Sequence, residues 1–184
     1  HISSNRQQVP ADFSDKIPLE AHQKAADYTQ AKVKTGMVEL IVGSVFLLLW
    51  TLAGGLQYLD SWVRAFGFSE IWTGTAFILS AFAIMTVLDL PISIYRTFKL
   101  EESFGFNKMT PKIFVMDMIK NGAVGLLIGT PLLLLVLWIM ENSGSYWWLY
   151  VWAVWLSFSL FMMWAYPAFI APLFNKFSPL EDGE

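Results

Sequence analysis

Glu101 and Glu102 stand side by side in a charged stretch that also carries Arg96, Lys99, Lys108 and Lys112. Two neighbouring carboxylates could form an acid–base couple or give oxygens to a metal ion. Adjacent residues on a helix do not face one another, however, and no His or Cys accompanies this pair. The residues therefore favour positioning of a loop over chemistry. Phe104, Gly105 and Phe106 follow as a turn with two rings to dock, Asn107 can satisfy backbone groups, and Lys108 completes the segment. The chain has two histidines, His1 and His22, and no cysteine, so it contains neither a His-Glu-x-x-His zinc motif nor a disulfide. No Ser-His-Asp set and no phosphate-binding glycine loop is present. The residue types and spacings present offer no catalytic and no metal-ligating residue.

Four further carboxylates, Glu39, Asp89, Asp117 and Glu141, lie in or beside apolar stretches, where charge costs free energy and points to a purpose. Asp89 precedes Arg96 with Pro91 between them, which favours an ion pair or a water-facing place over proton transfer. Glu39 and Glu141 are near enough to span ends for solvation. Asp117 stands three residues before Lys120 at a helix start, where the dipole and an i, i+3 pair both favour a carboxylate.

The elements that hold these residues are membrane helices. Hydrophobic residues make up 55% of the 184 residues and aromatics 16%, with nine Trp, which is far from the balance of a water-soluble domain. A hydrocarbon core about 30 Å thick takes on the order of 20 apolar residues per helix. Residues 36–58, 71–95, 118–140 and 146–170 meet that length. The fold class is thus an all-α polytopic bundle of four transmembrane helices. In the last span, Tyr146, Trp147 and Trp148 precede Trp164 and Tyr166 by a rise of roughly 27 Å, the spacing of two interfacial belts.

Residues 1–35 form a polar segment and an amphipathic helix from Pro18 that runs into the first span; residues 36–177 form the transmembrane domain, and 178–184 a tail. Gly125 and Gly129, with Gly122 one turn earlier, make a small-residue face for helix packing, and Pro131 predicts a kink beside it. Lys24, Lys32 and Lys34 precede the first span, and Arg96, Lys99, Lys108, Lys112 and Lys120 fill the second connection. The other connections hold Arg64 and no basic residue, respectively, so the basic sides and both termini are predicted to be cytoplasmic. No basic stripe interleaved with aromatics points to nucleic acid.

The block Tyr95-Arg96-Thr97-Phe98-Lys99-Leu100-Glu101-Glu102-Ser103-Phe104-Gly105-Phe106-Asn107-Lys108-Met109-Thr110 resembles a signature of the membrane-embedded zinc metallopeptidases of the CAAX prenyl protease 1 family. Ile170-Ala171-Pro172-Leu173-Phe174-Asn175-Lys176-Phe177-Ser178-Pro179-Leu180 is similar to the segment that leads that family toward its catalytic region, and residues 19–29 resemble bacterial members. The resemblance spans nearly the whole chain. It implies the membrane part of a zinc endopeptidase, inactive alone, with one more helix upstream and zinc, held by two His and a Glu, in a catalytic C-terminal half downstream. It further implies the lipid bilayer and a peptide or protein substrate as partners, in a bacterial inner membrane or, in a eukaryote, an endoplasmic-reticulum-type membrane. Eukaryotic members trim the last three residues of prenylated CAAX proteins; the substrate here stays open. A second reading, a non-enzymatic module such as a transporter portion or assembly scaffold, would be marked by inverted repeats or paired discontinuous helices.

Overall fold

A computed structural model describes residues 6–9 and 17–174, and every element among them is helical. Asn175, Lys176, Phe177 and the 178–184 tail lie outside the described residues. Helix α1 (Leu19–Thr51) begins after Pro18 and is 33 residues long, about 50 Å at 1.5 Å per residue, so its polar start projects beyond the apolar length. Helices α2 (Gly55–Arg64), α3 (Glu70–Tyr95), α4 (Pro111–Asn142), α5 (Trp147–Ala165) and the short α6 (Ala171–Phe174) follow. A π-helical segment extends α3 over Arg96–Glu101, and another joins α5 to α6 over Tyr166–Ile170.

Four of these continuous helices are long and apolar enough to cross a membrane: Leu19–Thr51, Glu70–Glu101, Pro111–Asn142 and Gly144–Phe174. Their apolar side chains point outward, with Leu40 70%, Leu127 77% and Met163 76% exposed. Water would not tolerate such surfaces, but hydrocarbon does, and helices satisfy their own backbone groups there. Side-chain hydroxyls in the spans are satisfied in the same local way. Ser44, Thr51, Thr75 and Thr86 each donate to the carbonyl four residues earlier at 2.7–2.9 Å. The protein is a multi-pass membrane protein.

The chain divides into two compact units, one within His1–Phe66 and Ser80–Thr110 and the other within Gly67–Leu79 and Pro111–Glu184. In the first, α2 folds back at the end of α1 and buries Leu59 and Val63. The first span therefore stops at Thr51, short of the expected residue 58. Gly54 takes a left-handed φ of 82°, and a Cβ on Gly55 would lie 3.0 Å from the Leu49 carbonyl oxygen and Trp50 Cα. Two glycines at this point let the chain reverse where a side chain would clash. In the second unit α4 and α5 form a hairpin through Gly144, whose φ is 57°. Gly74 on α3 approaches α4 closely, since a Cβ there would lie 3.2 Å from Leu137 Cδ1.

Candidate functional site

The stretch expected as a connection after residue 95 is largely helix. The π segment Arg96–Glu101 continues α3, and Glu102 and Ser103 remain helical. The helix then ends in a Schellman motif. The Gly105 N–H donates to the Glu102 carbonyl and the Phe106 N–H to the Glu101 carbonyl, both at 2.9 Å, with Gly105 at φ 74°. Asn107 Oδ1 accepts the Met109 N–H at 2.7 Å, turning the backbone toward α4. Glu101 and Glu102 thus shape this turn through their backbone carbonyls. Among the described residues neither carboxylate takes a hydrogen bond or ion pair, and Lys108 is exposed.

The turn docks on the polar start of α1. Tyr28 sits edge-on to Phe104 at 5.3 Å and to Phe106 at 4.9 Å between ring centroids. Lys24 Nζ lies 5.5 Å from the Phe106 ring, and Lys32 Nζ 5.9 Å from Tyr28. Leu100, just before the turn, is buried. Offset and T-shaped ring pairs and cations over ring faces are each attractive beyond area burial. Arg6 grips the same part of α1 from outside, its Nε and one terminal nitrogen donating to the two oxygens of Asp27 at 2.6 and 2.7 Å. This hydrogen bonding, aided by the charge, holds the Asp27 carboxyl below its usual range and raises Arg6. Asp27 precedes the apolar stretch of α1. Lys24 and Lys32 are legible in the sequence as orientation signals, Asp27 and Tyr28 only as members of the 19–29 block; an aromatic residue amid charged neighbours is the signal for the docking role of Tyr28.

Arg96 does not reach Asp89. One terminal nitrogen of its guanidinium instead donates to both carboxylate oxygens of Glu39 on α1, and Asp89 is exposed. Seven helical residues separate Asp89 from Arg96, roughly 10.5 Å of rise, while Glu39 faces Arg96 from the neighbouring helix. Glu39 is thus paired, not merely solvated. In the second unit Asp117 forms no ion pair among the described residues, because the Lys120 ammonium donates to the Leu173 carbonyl at 3.1 Å and lies over Phe174. Gly122, Gly125 and Gly129 do not pack on a described helix: a Cβ on any of them would meet nothing within 4 Å. Small residues permit close approach without compelling it.

Among the described residues no group of three or more His, Cys, Asp or Glu side chains converges on a metal site. They do not fit zinc, and no step can be derived through it here.

The pattern described as CAAX prenyl protease N-terminal, five membrane helices, matches residues 1–176. CAAX prenyl protease 1 of Saccharomyces cerevisiae is 33% identical over 186 residues, which cover 96% of this chain and 41% of the yeast protein. The CAAX prenyl protease 1 homolog of Arabidopsis thaliana is 40% identical over 116 residues, 63% of this chain and 27% of its own length. The crystal structure of S. mikatae Ste24p superposes with a TM-score of 0.87 at 31% identity, covering 98% of this chain and 44% of that one. The chain spans less than half the length of these relatives.

Proposed function

This chain belongs to the CAAX prenyl protease N-terminal family, and from that membership we propose that it builds the helical wall and a positioning loop of a zinc metalloendopeptidase. The observation that carries the reading is the docking of the 102–107 turn on α1 through Tyr28, Phe104 and Phe106. A turn capped by its own backbone and clamped by three rings is a rigid platform, and rigidity is what a catalytic region placed against it requires. Zinc, the catalytic residues and the contact with peptide or protein substrate belong to a C-terminal half of the same protein. The basic residues around α1 and the α3–α4 connection face the cytoplasm, as do both ends of the chain. The membrane is of the endoplasmic-reticulum type in a eukaryote and the inner membrane in a bacterium.

The test compares the intact protein with this chain alone, both in detergent, for zinc content and for cleavage of a farnesylated CAAX peptide. Zinc and cleavage in the intact protein, with neither in the isolated chain, is the expected outcome. Zinc that survives dialysis of the isolated chain and disappears in His22→Ala would overturn the division of labour. Orientation is checked with single cysteines at Ser103 and Ser143. Labelling of position 103, but not 143, by an impermeant reagent from outside intact cells would invert it.

A further inference from the structure

A side chain of α4 holds α6. Lys120, nine residues into α4, donates to the Leu173 carbonyl at 3.1 Å and holds its ammonium 5.8 Å from the Phe174 ring centroid. Leu173 lies in α6, and a lysine ammonium is well suited to bond a helix carbonyl. Here the lysine comes from another helix, 53 positions away.

The preceding residues explain why an external anchor is needed. Pro167 and Pro172 bring no N–H to the ladder, so the helix leading to residue 174 is held by fewer bonds of its own. The π segment Tyr166–Ile170 adds a residue to its turn, which rotates everything after it by about 100° relative to an α-helix. Trp164 packs edge-on against Phe169 at 5.7 Å across this wide turn. The rotation decides which side of Ala171–Phe174 is offered to α4, and Lys120 takes it.

We propose that Lys120 is a positioning residue that latches α6 to α4 and fixes the direction of α6 against that helix. The proposal rests on the reading that a catalytic region follows. By holding α6, the latch sets the base from which that region is carried.

The test places nitroxide labels at Lys112 and Ala171 in the intact protein and reads their distance distribution alongside peptide cleavage. Lys120→Met removes the donor and the charge, so the distribution broadens and kcat falls on the order of tenfold with KM little changed, as expected when reacting groups are misplaced without loss of binding. Lys120→Arg keeps donor and cation and restores both readouts. Phe174→Leu keeps the hydrogen bond and removes the ring, giving a smaller broadening. If the Met variant aggregates, Lys120→Ala, which also removes donor and charge, carries the same comparison. An unchanged distribution in a folded Met variant overturns the latch, and a broadened one with unchanged kcat overturns its positioning role. A broadened distribution in a protein whose parent cleaves no peptide leaves the latch standing and sinks the peptidase reading instead.

Discussion

Arg96 directs its guanidinium at both carboxylate oxygens of Glu39, tying the π-helical end of α3 to the polar edge of the apolar stretch in α1. The side chains are 41% and 33% exposed, so the pair is neither fully solvated nor fully buried. Arg96 Nε is buried without a partner among the described residues, which offsets part of the gain.

A double-mutant cycle in detergent with Glu39→Gln and Arg96→Gln should therefore give a coupling of about 1 kcal/mol, the upper end for exposed pairs and below that of a buried one. Each single change leaves one charge unpaired at the membrane edge and lowers the thermal midpoint; the double variant recovers part of the loss. Strictly additive effects would show that the two side chains do not stabilise one another.

Gly105 is the pivot of the turn. Its φ of 74° is left-handed, and a Cβ there would meet just the Lys24 ammonium at 3.8 Å, so the penalty of substitution is conformational and not steric. Gly105→Ala should cost about 1 kcal/mol of stability, and Gly105→Asn less, because Asn tolerates the left-handed region better. Equal losses for Ala and Asn in thermal unfolding would contradict this account.

The clamp between Arg6 and Asp27 makes a prediction about pH. Hydrogen bonding from Arg6 lowers the Asp27 carboxyl below its unfolded value, so the native state favours the ionised form. The stabilisation is fully present above the unfolded value of 3.8 and is lost as pH falls through the lower folded value. The difference in thermal midpoint between the parent and Asp27→Asn should be constant near neutrality and shrink below pH of about 4. A gap that persists undiminished into stronger acid would assign the effect to the amide and not to the ion pair.

The membrane class was legible because apolar length and aromatic belts are local properties, and family membership was legible in the 95–110 block. The contacts of that block were not. Tyr28 and Phe104 lie far apart in sequence, and their meeting depends on α1 continuing past the membrane edge beside the end of α3. The Arg96–Glu39 pair could have been found. Two opposite charges on consecutive, oppositely directed spans stand at the same level when one follows the start of its span and the other closes its own. The reversal at Gly54 and Gly55 was likewise written in two adjacent glycines, but it was overridden by the apolar residues on either side. Gly122, Gly125 and Gly129 are of another kind: a small-residue face states that a helix can approach, and leaves unsaid whether one does.

Glu101 and Glu102 separate position from chemistry most sharply. Their backbone carbonyls cap the turn at 2.9 Å, a role that Gln retains in full. In the intact protein, Glu101→Gln and Glu102→Gln should each leave zinc content and thermal midpoint unchanged and lower peptide cleavage on the order of tenfold or less, whereas loss of a general acid or base removes a factor of roughly 10² to 10⁴. Phe106→Ala removes the ring that meets Tyr28 at 4.9 Å and Lys24 at 5.5 Å, and should lower stability and cleavage together. Phe106 is 52% exposed, so its loss should fall below the roughly 3 to 5 kcal/mol of a fully buried ring. If either Gln variant abolished cleavage while zinc and stability stayed intact, that carboxylate would belong to the reaction itself, and the turn would be part of the active site and not its platform.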